Sequence, residues 1–209
     1  MDELSKEYII SFFDRNLELF GDRAEALRWT PEGQIAHYKA MLDIGDIRGC
    51  SILDFGCGKG DFYGFLRDRK IEVKYTGIDI NENLINLAKM KYPYLDFRVL
   101  DIERDELRED FDYIFLCGVF NLRTPSIEKY IRSVLIKLFE HCRKALAFNA
   151  LSAHIPQRHK SFELSYLMPE EFLSFAIKNL SPFVALRHDR IPYDFTLFIY
   201  REQNINDTG

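Results

Sequence analysis

From residue 51 onward two kinds of segment alternate along the chain. Short runs rich in β-branched and aromatic residues are each followed by a longer stretch whose apolar positions repeat at helical spacing. Ser51–Phe55 reads as a buried strand and Asp61–Asp68 as the helix after it. Residues 73–78 read as a second strand, and 83–90 carry Leu84, Leu87 and Ala88 on one helical face. Residues 97–100 and 113–117 are a third and a fourth strand, and 145–150 a fifth. Between the last two lies the clearest helix, Ile127–Glu140, with Ile127, Ile131, Leu135 and Leu138 on one stripe. Pro169 opens a further helix, Pro169–Asn179, at a favoured first-turn position. Residues 183–188 and 195–200 follow, separated by a turn-like 189–194 that contains Pro192, and predict a β-hairpin. Such alternation predicts an α/β fold: a mostly parallel sheet covered by helices on both faces. The first fifty residues differ, with two helices, Glu3–Phe20 and 31–42, and no strand between them. They are expected to cap the carboxyl edge of the sheet. The simplest organisation is one domain over 1–209, with a helical cap in 1–48 and the α/β core in 49–209.

Composition narrows the function. The 209 residues are enough for one domain with a real core, and 47% hydrophobic with 29% charged residues is ordinary for a globular chain. A formal net charge of -5 argues against a broad nucleic-acid or anionic-membrane surface, so neither partner is expected. The acidic start, Met1 to Glu7, has no apolar core of a signal peptide after it, and no apolar run approaches the roughly 20 residues that cross a bilayer. Cys50, Cys57, Cys117 and Cys142 form no C-x-x-C pair and stand at no metal-ligand spacing from a histidine. No metal is expected, and the cytoplasm is the default compartment. The sequon Asn206-Asp207-Thr208 carries no weight without a secretion signal.

The strongest local signal is Leu53-Asp54-Phe55-Gly56-Cys57-Gly58-Lys59-Gly60-Asp61. Glycines directly after a strand allow a tight turn and let backbone amides approach a ligand. A phosphate loop is excluded because no Gly-Lys-Ser/Thr follows. A dinucleotide fingerprint needs glycine or alanine where Asp61 stands, and a carboxylate there would occupy or repel the pyrophosphate position. The loop therefore suits a ligand without phosphates, and S-adenosylmethionine has none. Asp79, at the end of the second strand, can accept from both hydroxyls of a ribose, or it merely caps the next helix. Asp101, after the third strand, can accept from an adenine amino group with Ile102 on the ring, or it is a turn residue.

As an ordered set, Leu53–Gly60, Tyr75–Asp79, Asp101-Ile102 and Phe111–Phe115 resemble the motifs of the class I S-adenosylmethionine-dependent methyltransferases. The resemblance is close over roughly residues 50 to 150. It implies a Rossmann-like seven-stranded sheet in the order 3-2-1-4-5-7-6 with the seventh strand antiparallel. It also implies that Asp54 and the turn Gly56-Cys57-Gly58-Lys59-Gly60 hold the methionine moiety. Asp79, with Ile80 beside it, would take the ribose, Asp101 with Ile102 the adenine, and the backbone near Cys117 and Gly118 the ammonium group. The stretch Trp29 to Tyr38 resembles a cap of some small members, with His37 where an arginine often stands, and Trp29 is counted with the cofactor contacts.

Methyl transfer from a sulfonium is an in-line displacement that needs alignment and dryness more than any particular side chain. A base helps when the nucleophile must lose a proton, and the candidates are His154, His37 and Tyr38. His154 follows the fifth strand, on the ligand edge of such a fold, or is a surface histidine; His37 on its helix leans to a structural role. Tyr8, Phe12, Trp29 and Phe120 could form an apolar lid or pack as core. The basic clusters Arg158-His159-Lys160 and Arg187-His188-Asp189-Arg190 read as solvated edges rather than an anion patch. No Asn/Asp-Pro-Pro-Tyr follows the fourth strand, which speaks against methylation of a nucleic-acid base. The expected function is methyl transfer to an O or N atom of a small molecule by a monomer or homodimer. A cofactor-binding module without turnover, an RNA or protein methyltransferase, and a nicotinamide oxidoreductase are the alternatives.

Overall fold

The computed structural model describes residues 1–202, and the sequon at 206–208 lies outside them. Seven strands form one sheet: β1 (Ser51–Phe55), β2 (Lys74–Asp79), β3 (Asp96–Val99), β4 (Phe111–Leu116), β5 (Cys142–Leu151), β6 (Val184–Arg187) and β7 (Asp194–Tyr200). Their order is β3-β2-β1-β4-β5-β7-β6, as the resemblance implies. β1 to β5 pair in parallel, and β7 runs antiparallel to both β5 and β6. The chain starts in the middle, steps outward through β2 and β3, then returns to lay β4 on the other side of β1. The connections after β1 and β4 thus leave in opposite directions, and a crevice opens at the carboxyl ends between them.

Side-chain alternation assigns the two faces. Leu53, Phe55, Ile114, Leu116, Leu146 and Phe148 pack beneath α5 (Ile127–Glu140) and α6 (Pro169–Asn179). Ile52, Tyr75, Phe115, Ala147 and Phe198 pack beneath α2 (Pro31–Met41), α3 (Asp61–Asp68) and α4 (Glu82–Lys91). The helices start where side chains can take up free amides. Asp2 accepts from Ser5 N–H at the head of α1 (Glu3–Phe20), Thr30 from Gly33 N–H before Pro31, and Asn81 from Leu84 N–H.

The expected two-helix cap is divided. Only α1 covers the carboxyl edge: Asn81 Nδ2 donates to Asp14 at 2.8 Å, and Lys6 Nζ to Asp101 at 2.6 Å. α2 instead belongs to a face layer, because Tyr38 and Met41 join the core of α3 and the sheet. It ends at Met41 and passes into a 3-10 turn, Leu42–Ile44; Ala24–Leu27 and Gln157–His159 are further short turns that carry no sequence period.

A buried charge cluster ties the α1–α2 connection down. The Lys59 side chain, 2% exposed, lies 2.5 Å from Asp61 Oδ2 and 3.1 Å from Asp22 Oδ1, and Lys91 reaches the same two carboxylates. Burial by itself would raise the Asp61 carboxyl, but the two ammonium groups outweigh it and hold the group below its usual range. Removing one cation from such a cluster leaves buried negative charge. Lys59→Met is expected to destabilise the fold by about 3 kcal/mol in urea unfolding, against under about 1 kcal/mol for a change at exposed Arg108.

Candidate cofactor and acceptor site

The crevice beside β1 holds a cavity of about 100 Å³, walled by residues of α1, β1, β2, α4 and α5. Its floor is the turn after β1. There Gly56, Gly58 and Gly60 have φ of +71°, +53° and +76°, a region that strains any side chain. A Cβ at Gly56 would also sit 2.7 Å from a Val119 methyl. The turn is tied to the neighbouring strand by Asp79. Gly58 N–H donates to one of its carboxylate oxygens at 2.9 Å and Asn81 N–H to the other at 2.9 Å. Each oxygen keeps a lone pair for a ligand. Burial pushes the Asp79 carboxyl up, and the hydrogen bonds from the Asn81 and Gly58 amides, acting the other way, recover only part of the shift.

Of the cofactor contacts expected from the sequence, Gly56, Gly58, Asp79, Ile80, Cys117, Gly118 and Trp29 line this cleft. The others do not. Asp54 shares the face of Ile52, beneath the turn, where it accepts from Tyr75 Oη at 2.5 Å. Burial pushes its carboxyl up to about 7, with Tyr75 opposing. It supports the turn from the far side of the sheet. Cys57 is buried in the core on that same face, and Gly60 sits against Phe97 at the head of α3. Asp101 is taken by Lys6, and Ile102 packs in the core while Leu100 takes its place on the cleft wall. Asp61, whose carboxylate was expected to repel a pyrophosphate, is held by Lys59, Lys91 and Gln34 and does not line the cleft.

The candidate bases are corrected too. Tyr38 is buried against Phe62 and Phe65, and burial raises its phenol well above the ordinary range. His154 is half exposed on the surface, its Nε2 3.0 Å from Glu170 Oε2. His37 lies behind Trp29, ring centroids 4.4 Å apart, rather than in the cleft. The lid is half as expected. Trp29 and Phe120 line the cleft, but α1 presents Ile9 and Phe13 rather than Tyr8 and Phe12. Of the basic clusters, the one at 187–190 is an ion-paired edge, Arg187 with Asp189 at 2.8 Å and Arg190 with Asp43 at 2.6 Å, while Arg158 lies on the surface and donates to His159 Nε2 at 3.2 Å. Sequence reasoning missed Leu27, Leu84, Leu122 and Tyr130 as lining groups. Tyr130 was within reach, one turn after Ile127 at the start of α5. Its phenol is held neutral by burial first and then by the nearby carboxylates of Glu103, Asp101 and Asp79. Among the described residues no group of three or more His, Cys, Asp or Glu is placed to hold a metal, and no helix is long and apolar enough to cross a membrane.

Comparison with known proteins bears directly on this cleft. Residues 52–143 match the model of a family described as a methyltransferase domain. A methyltransferase-named protein of Mycobacterium tuberculosis is 28% identical over 156 residues, 71% of this chain and 92% of its own length. The family model, the methyltransferase-named relatives and the fold together support a class I S-adenosylmethionine-dependent methyltransferase. The malonyl-acyl-carrier-protein O-methyltransferase of Acetivibrio thermocellus is 34% identical over 82 residues, 38% of this chain and 29% of that one. Among solved structures, magnesium protoporphyrin IX methyltransferase of Synechocystis with its cofactor bound superposes with a TM-score of 0.66 at 17% identity. That match covers 97% of this chain and 98% of the other. A complex of DhpI with S-adenosylhomocysteine superposes at 0.67 and 14% identity, covering 92% and 94%. At these identities the two structures speak for the fold. Neighbours with S-adenosylmethionine or S-adenosylhomocysteine bound support S-adenosylmethionine as the cofactor, and the cleft of this chain suits it: two lone pairs at the end of β2, a glycine floor and apolar walls.

The buried Asp54 has a measurable consequence. Its proton is held more tightly folded than unfolded, so between about pH 4 and about 7 the folded state binds the extra proton and stability falls as pH rises. Asp54→Asn keeps the Tyr75 hydrogen bond without a titrating group. Chemical denaturation is expected to find variant and wild type alike at about pH 3.5, and the variant more stable by about 2–4 kcal/mol at about pH 8.

Proposed function

We propose that this methyltransferase acts on an O or N atom of a small, largely apolar acceptor, with residues 1–209 working as one methyltransferase domain in the cytoplasm. The observation that carries this reading is the chemistry of the cleft wall. Among the described side chains that line it, Asp79 alone is charged, and the remainder are mostly aliphatic or aromatic. A polyanionic acceptor finds no cationic side chain there, and the Met1 ammonium is engaged by Glu103 at 2.5 Å, which speaks against RNA; the chain's acidic balance agrees. The O-methyltransferase named among the relatives favours oxygen as the accepting atom. Four free cysteines favour the reducing compartment.

S-adenosylmethionine supplies a methyl group on a sulfonium that leaves as a neutral thioether. The chain's own residues hold and align. Asp79 would accept from the two ribose hydroxyls, since each of its oxygens retains a lone pair. Ile80, Leu84 and Leu100 would flank the purine, and the phenol of Tyr130 would donate at that end. Trp29, Phe120, Ile9 and Phe13 keep water out. No histidine lines the cleft and Asp79 is committed, so the acceptor's proton leaves without a dedicated base. This favours nucleophiles that are already unprotonated at neutral pH, such as carboxylates, acidic phenols or neutral amines. Alignment then supplies the catalysis. A cofactor-binding module without turnover would share the whole site and differ only in product.

Calorimetry with S-adenosylhomocysteine, followed by release of that product across a panel of acceptors, tests both halves. Binding without turnover on any acceptor would favour the regulatory alternative, and the absence of binding up to about millimolar ligand would end the reading. Asp79→Ala is expected to weaken S-adenosylhomocysteine binding about 30-fold or more, the loss of two charge-assisted hydrogen bonds. Asp101→Asn is expected to cost under about threefold, because Lys6 and not the ligand holds that carboxylate.

A further inference from the structure

Two buried side chains behind the cleft carry a proton that no part of the proposed reaction uses. His37 Nδ1 lies 2.7 Å from the Gly33 carbonyl oxygen. A carbonyl only accepts, so Nδ1 bears a hydrogen. The other ring nitrogen, Nε2, lies 3.4 Å from Asp194 Oδ2. In a neutral imidazole that nitrogen would turn a lone pair toward a carboxylate lone pair. The pair is attractive only with one more proton, on Nε2 or on Asp194. His37 is 9% exposed and Asp194 4%, so bulk water does not replace that proton.

The same carboxylate accepts from Asn149 Nδ2 at 3.1 and 3.3 Å, and Asn149 Oδ1 accepts from Gly118 N–H at 2.8 Å. One end of the chain of contacts is therefore the Gly118 turn and the other the His37 ring. Trp29 packs on both. Its ring meets His37 at 4.4 Å, and a Cβ on Gly118 would collide with it. Trp29 and Gly118 are cleft wall.

We propose that one proton shared by His37 and Asp194 holds Trp29 against Gly118 and so keeps this wall of the cleft in place, making Asp194 and Asn149 positioning residues for ligand binding. The consequence for affinity rests on the methyltransferase reading; the proton does not. Burial pushes the Asp194 carboxyl up, while His37 and Asn149 act the other way. The other titratable groups within electrostatic reach of Asp194 are His188, on the exposed segment between β6 and β7, and the Cys117 thiol, which burial holds neutral. As pH rises the shared proton is lost, a bare carboxylate faces the imidazole lone pair, and the support of Trp29 weakens.

Trp29 is the only tryptophan, so its emission reports the contact directly. The ligand-free wild type is expected to show one emission transition as pH is raised from weakly acidic to alkaline, and S-adenosylhomocysteine to bind about tenfold more weakly on its alkaline side. Asp194→Asn can donate its amide N–H to His37 Nε2 and still accept from Asn149, with no proton to lose. Its emission and affinity are expected to stay flat across that range. His188→Gln should keep the wild-type transition. An Asp194→Asn protein that retains the transition, a flat wild type, or a transition abolished by His188→Gln would each overturn the proposal. Failure of wild type to bind S-adenosylhomocysteine at any pH would instead overturn the ligand reading, and the emission experiment would still decide the proton.

Discussion

The Asp79 carboxylate, accepting the Gly58 and Asn81 amides, is the contact on which the functional end of this molecule depends. It joins two neighbouring parallel strands at the edge where the chain reverses its direction of winding. Parallel order at β2-β1-β4 makes the crevice, but a crevice alone has no chemistry. The bridging carboxylate gives it a fixed floor and a pair of acceptors. Both neighbouring amides are satisfied by the protein, so the ligand meets a surface that is already organised.

Around that point the structure disposes of its other carboxylates one by one. Asp61 is compensated by Lys59 and Lys91, Asp101 by Lys6, and Asp194 by His37 and Asn149. Burial pushes the Asp54 carboxyl up to about 7, which keeps it protonated below neutral pH. Each arrangement meets the cost of placing a carboxylate away from water. The result is a cleft whose lining carries one charged side chain among apolar ones, where an electrostatic contact with a ligand is weakly screened. The acidic composition of the chain is thus a poor guide to the character of its site.

The errors in reading the sequence share a physical origin. Asp54 was assigned to the ligand because it adjoins the glycine turn, yet strand alternation already put it on the side of Ile52. Its neighbours Leu53 and Phe55 face the α5 layer. Here the signal was present and unused. Asp101 and His154 stand at the carboxyl ends of strands, as a site residue should, but Lys6 from α1 and Glu170 from α6 engage them. Those partners are 95 and 16 residues away along the chain, beyond any local pattern. The split of the two N-terminal helices was equally hidden. α2 carries almost no apolar stripe, and nothing in the stripe of α1 says which surface it will cover.

What the sequence determined by itself is local and periodic. Strand and helix positions follow from spacing, since period 2 and period 3.6 are properties of the backbone. The glycine turn follows from φ angles that other residues resist, and Asp79 from its place at a strand end beside that turn. The tertiary structure decided everything that depends on one group meeting another far away: which carboxylates are neutralised and which one faces the cleft, that Ile9 and Phe13 rather than Tyr8 and Phe12 close it, and that His37 lies behind Trp29 instead of beside a substrate. A carboxylate or an imidazole takes its role from its partner, and the partner is chosen by the packing of the sheet and its helices.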